Sequence, residues 1–208
     1  MRSVLLILMM ISAAHSYGQE YKHVMVFLNS KHDKEVLSDE ESEALQKAHR
    51  ANIKLMVTDG KLSVAGPFEG GGGIFILNTG KVLEAKNWLS ADPAIKANRW
   101  NIELFPINFL KGNACLAQEP NEMVTYNFIR VHYINDIANY KVSEGAEEDW
   151  QAVASADGVL LTGVFPNKDG GIMIYSGEKR SSWFGENQNE LVSLEDKTVW
   201  VAKGSFCE

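Results

Sequence analysis

Two residues in the first half of the chain are of the types needed for proton transfer. His49 lies in "SDEESEALQKAHRANIKLMVTDG", four residues after Leu45 and seven before Met56, so at helical spacing the three share one face. An imidazole titrates near neutrality, and its neighbours can move it across the physiological range, which suits acid–base work. Asp92 stands directly before Pro93, at the end of "KVLEAKNWLSADP". Its carboxylate would orient the imidazole and raise its basicity if the two segments lie side by side on one sheet face. Local sequence also allows plainer roles. A histidine on an apolar helix face is usually a hydrogen-bonded core residue, and an aspartate before proline commonly caps its own backbone.

Other chemistries fit poorly. His23, His32 and His132 have no close-spaced partner, and two cysteines do not make a zinc site, so no metal or cofactor is expected. No Gly-x-Ser-x-Gly nucleophile elbow is present. The four glycines of "GPFEGGGGIFIL" (66–77) invite a phosphate-loop reading. Such a loop must open a helix, where free N–H groups converge. These glycines instead run into β-branched and aromatic strand material, so they read as a turn between antiparallel strands.

A later stretch, "GVFPNKDGGIMIY" (163–175), has the same plan. The flanks agree in the same order: "YKHVMVFLN" with "YNFIRVHYI", "TDGKLSVAG" with "ADGVLLTG", and "LKGNAC" with "AKGSFC". Such self-similarity indicates duplication. Each half reads as strand, helix, strand, strand, helix, strand, the ferredoxin-like split βαβ order. In the first half, Ser38 with Glu41 forms a capping box, Asp59–Gly60 ends the first helix, and Pro93 stops the second. The second half has a shorter first connection and a weak second helix at 187–196. A ferredoxin-like sheet leaves one face bare, so two such sheets are expected to cover one another within the chain. The fold class is therefore α+β: two βαββαβ repeats packed sheet to sheet as an intramolecular dimeric α+β barrel. Domains are expected at 19–115 and 124–208, joined by a linker at 116–123.

The second copy lacks the acid–base pair. Counting back from Asp157-Gly158 puts Glu147 where His49 stands, and no Asp-Pro occurs in 124–208. One pocket per chain is expected, with the second copy as a structural partner that lends side chains. His132 aligns with Phe27 in this comparison and faces the shared interior or bonds locally.

The first half resembles the YCII-related family through "VFL" (26–28), "AHRANIKLMVTDGKLSVAGPF" (48–68) and "EAKNWLSADP" (84–93). The resemblance covers residues 21–110, with 124–208 as a diverged copy. It implies the dimeric α+β barrel architecture and a histidine–aspartate pair in the pocket, which here would be His49 and Asp92. The wider superfamily includes isomerases and dehalogenases. The expected function is acid–base chemistry of isomerase or lyase type on a small organic molecule. The alternative is a non-catalytic module of the same fold that binds a small ligand or a protein.

The remaining features concern setting. Arg2 followed by an apolar run from Val4 to Ala14 and then small residues reads as a secretory signal at 1–18, which places the mature protein in the periplasm or outside the cell. No later run is long enough to span a membrane. A net charge of −7 disfavours nucleic acid. The internal pair is expected to be self-sufficient as a monomer, with a small molecule as its partner. Cys115 and Cys207 occupy matching positions, and in an exported protein they form a disulfide or remain two separate thiols.

Overall fold

The computed structural model describes residues 20–118, 122–133, 145–166, 169–178 and 192–208, with backbone only at 145–149 and 192. The expected signal at 1–18 lies outside them. The first half runs β1 (His23–Ser30), α1 (Asp39–Thr58), β2 (Leu62–Pro67), β3 (Gly73–Leu77), α2 (Val82–Leu89), α3 (Pro93–Lys96) and β4 (Trp100–Lys111). The chain continues with β5 (Asn113–Ala114), β6 (Met123–Tyr133), α4 (Gly145–Ala154), β7 (Val159–Val164), β8 (Gly171–Tyr175), β9 (Val192–Ala202) and β10 (Phe206–Cys207).

Eight strands form one sheet in the order β2-β3-β1-β4-β7-β8-β6-β9, with every pairing antiparallel. The two halves therefore do not make separate sheets stacked face to face, as expected from sequence. They join edge to edge, Asn108 opposite Val164 on β4 and β7. The outer edges also meet, at an isolated bridge between Phe68 and Val199 supported by the Glu69 amide donating to the Thr198 carbonyl at 3.2 Å. The sheet is thus rolled on itself. Rolling buries the bare faces against each other without requiring two layers.

Side-chain alternation along each strand explains the cores. Met25 and Phe27 point inward with Ile74, Ile76, Phe128, Ile172 and Val199. Val24, Val26 and Leu28 point outward under the helices, packed with Met56, Phe75 and Leu89. A third cluster sets Ile129, Val131 and Met173 against Trp150 and Val153 of α4. Because both faces of β1 are covered, its sequence is almost continuously apolar. No described helix is long and apolar enough to cross a membrane.

The weak helix expected at 187–196 is not found where the chain is described. Residues 192–196 open β9, and Val192–Ala202 pairs with Met123–Tyr133 over eleven consecutive positions. Valine, threonine and tryptophan in "VSLEDKTVWVA" favour that extended partner, and tertiary pairing overrides the local charge. Residues 187–191 lie outside the described set.

Strand registers also correct the alignment of the halves. Leu28 faces Gly73 as Val131 faces Gly171, so Phe27 corresponds to Arg130 and not to His132. The slip is two residues, which keeps the inward face inward and so leaves the apolar pattern unchanged.

At the far end of the roll, β5 and β10 pair, and Cys115 and Cys207 are joined by a disulfide with Cα atoms 6.0 Å apart. The backbone around the bridge is also tied, the Cys115 amide donating to the Ser205 carbonyl at 2.8 Å.

Candidate functional site

The helix that carries His49 is strongly delimited. Its N-cap, Ser38, accepts from the Glu41 amide at 3.3 Å, and the Glu41 carboxylate returns a bond to the Ser38 amide at 2.9 Å. Asp39, Glu40 and Glu41 place negative charge at the positive end of the helix dipole. Most of α1 is solvent-facing, and its buried residues are His49 and Met56. One face therefore docks, and His49 is on it.

Asp92 does two jobs with its two oxygens. Oδ1 caps the short helix α3, accepting from the amides of Ala94 at 2.9 Å and Ile95 at 3.2 Å. Oδ2 accepts from His49 Nδ1 at 2.8 Å and from Asn52 Nδ2 at 2.9 Å. The plain capping role and the orienting role are thus both present in one fully buried side chain. The segment expected as a single helix before Pro93 is split, with α2 ending at Leu89 and Asp92 starting α3.

The electrostatics decide the histidine tautomer. Burial pushes the Asp92 carboxyl up, but the hydrogen bond and charge of His49, with bonds from Ile95 and Asn52, hold it below the ordinary carboxylate value. An ionised carboxylate only accepts, so Nδ1 carries the proton in the pair. Nε2 then holds the lone pair in neutral His49. That atom has no hydrogen-bond partner among the described residues and is not among the buried unpaired atoms. The ring is held sideways by Trp100, with centroids 4.9 Å apart, and by Phe75 at 6.1 Å. It borders a cleft of about 560 Å³.

The cleft is walled by the end of β1 and the segment after it through Leu28, Ser30 and Lys34, by α1 through His49 and Arg50, by the β2–β3 turn through Gly71 to Gly73, by Trp100 at the start of β4, and by Met123 and Trp200 of the second half. The glycine run is a strand-to-strand turn and a wall of the cleft at once. Gly72 has φ +77, and a Cβ there would collide with the Leu28 carbonyl. Gly66 admits β9, since a Cβ would lie 2.5 Å from Val201 Cγ1 and 2.8 Å from Val199 Cγ2.

His132 lies elsewhere. It shares the inward face of β6 with Phe128 and Arg130, with Nε2 3.8 Å from Glu195 Oε2. Burial first, then the Arg130 charge, push its pKa down against the pull of Glu195 and Glu103. Residue 147 falls within α4, where only the backbone is described. Sequence reasoning missed Asn52, Arg50, Lys34, Met123 and Trp200. Asn52 was findable, being three residues from His49 and so on the same helical face. The second-half residues carry no local signal.

No family description matches the chain, and no curated protein matches it. Two solved structures resemble it in outline. One is a candidate monooxygenase from Lactobacillus acidophilus NCFM, 13% identical, covering 88% of this chain and 94% of its own, with a TM-score of 0.48. The other is a candidate monooxygenase from Fusobacterium nucleatum subsp. nucleatum, 11% identical, covering 92% of this chain and 96% of its own, with the same TM-score of 0.48.

Proposed function

We propose that this chain is an exported, duplicated protein of the dimeric α+β barrel type, similar to YCII-related proteins, that moves a proton on a small organic molecule at one site per chain. The ferredoxin-like reading of each half rests on the strand orders β2-β3-β1-β4 and β7-β8-β6-β9, which place corresponding strands alike. The functional reading rests on one observation: a buried carboxylate 2.8 Å from His49 Nδ1 leaves Nε2 as a base at an open cleft.

The step is simple to balance. Nε2 takes a proton from carbon, and the electron pair left behind forms a double bond. Isomerisation follows if His49 returns the proton to another atom of the same molecule, and elimination follows if a leaving group departs with its electron pair. Asp92 stabilises the imidazolium formed on the way, as a carboxylate does in other histidine dyads. Neither route needs an oxidant or a metal.

Deuterium uptake provides the test. The protein is incubated in D₂O with a panel of small carbon acids, and exchange or rearrangement is followed by NMR. The intact protein should label or convert at least one member, His49→Gln should lose this activity by about 10²–10⁴-fold, and Asp92→Asn should weaken it less. Absence of exchange across the panel, or exchange indifferent to His49, would reject the catalytic reading in favour of a binding module.

A further inference from the structure

The charges around the cleft are one-sided in a way the whole chain is not. The sequence has 27 acidic against 20 basic residues. Among the described residues the cleft nonetheless has Lys34 and Arg50 in its wall and no aspartate or glutamate. A smaller cavity of about 150 Å³ adjoins it, sharing Lys34, Gln46 and Trp100 and adding Arg99, again with no carboxylate side chain among its described lining residues. Among the described residues, none of these three cations makes an ion pair. Lys34 donates to the Ser30 hydroxyl at 3.1 Å and Arg99 to the Glu35 carbonyl at 2.5 Å, while Arg50 points out from the helix turn that carries His49.

Another part of the wall is apolar. Trp200 is 50% exposed and Met123 38% exposed, both unusual for such large side chains, and both face this cleft from the second half. Trp100 lines both cavities. Cations without an ionic partner at the mouth of a cleft raise the local concentration of anions, and exposed indole faces bind planar apolar bodies. A volume of about 560 Å³ lies within the range of small-molecule sites, roughly 300–1,000 Å³.

We propose that the cleft takes an aromatic or similarly flat organic acid, with its anionic group toward Lys34 and Arg50 and its apolar body against Trp200. This deepens the proposed function by naming the ligand class at the same site, and Trp200 becomes a specificity residue supplied by the other half of the chain.

The test reads binding alone, so it is separable from turnover. Tryptophan fluorescence and calorimetry would be used to titrate the full mature protein with 2-naphthoate, neutral 2-naphthamide and acetate. Naphthoate should bind at least about tenfold more tightly than naphthamide, and acetate should bind far more weakly than either. Lys34→Met with Arg50→Met should erase the preference for the acid, and Trp200→Ala should weaken naphthoate about tenfold. Lys34, Arg50 and Trp200 are exposed, so these variants should fold, with circular dichroism as the check. Equal binding of acid and amide, no binding of any probe at millimolar concentration, or a preference indifferent to Lys34 and Arg50 would overturn the inference. Acid-selective binding by a protein that exchanges no protons would uphold it while rejecting the catalytic proposal.

Discussion

Arg130 and Phe27 occupy corresponding places in the two halves and meet inside the roll, the guanidinium carbon 3.7 Å from the ring centroid. A charge therefore stands where the first half has an aromatic ring, and it is only 3% exposed. Glu103 is its counter-ion, bound through two hydrogen bonds of 3.2 and 2.7 Å.

The two members of this pair should respond unequally to mutation. Glu103 is 40% exposed, so water can solvate it if Arg130 is lost. Arg130 has no such exit. Glu103→Gln should therefore cost about 2–4 kcal/mol, whereas Arg130→Met, which puts an apolar chain among Phe27 and Phe105, should be near neutral. Urea denaturation of both variants would measure this, and equal losses would contradict it.

Asp92 separates capping from charge. Asparagine still caps a helix, so Asp92→Asn should cost about 1–2 kcal/mol at pH 7 through the His49 contact alone, and Asp92→Ala about 1 kcal/mol more. The folded pKa of Asp92 lies below its unfolded value. Its contribution is thus complete above the unfolded value of about 3.9 and is lost as pH falls through the lower folded one. The stability of Asp92→Asn should accordingly change less than that of the parent between pH 5 and pH 2. Chemical denaturation across that range is the measurement.

Gly66 should be intolerant of a methyl group. A Cβ there would press on Val199, Val201 and, at 3.0 Å, the Trp200 carbonyl, all on the strand that closes the roll. Gly66→Ala should cost about 1–3 kcal/mol by overpacking and push Trp200 outward. Thermal melting and acrylamide quenching of tryptophan fluorescence would show both effects.

The disulfide encloses a loop with a sequence separation of 92. On the chain-entropy argument its loss should destabilise by about 4–5 kcal/mol. Cys115→Ser with Cys207→Ser should lower the melting temperature, and reductant should lower it only in the parent.

What could be read from the sequence was mostly local. The α1 boundaries follow from Ser38, Glu41 and Gly60, and most strands from their apolar runs. His49 and Asp92 could be named because their residue types and helix positions are unusual together. Their contact required the packing of α1 on α3. The continuous sheet was not legible because Asn108 meets Val164 through pairing 56 positions apart, to which no local pattern points. Residues 192–196 misled because the repeat order placed a second helix at 187–196, while their fate was set by pairing with β6. The role of Trp200 escaped for the same reason: an exposed tryptophan on an edge strand says nothing of the helix across the seam.

The sulfur bridge has a topological consequence. Everything from Cys115 to Cys207, which is nearly the whole second half, is a covalent ring hung on the first half. A protease that nicks this ring once releases no piece of it, and the indole wall stays tethered within reach of His49. The disulfide-bonded molecule should therefore survive a single cut as two linked fragments where a linear chain would be cut apart.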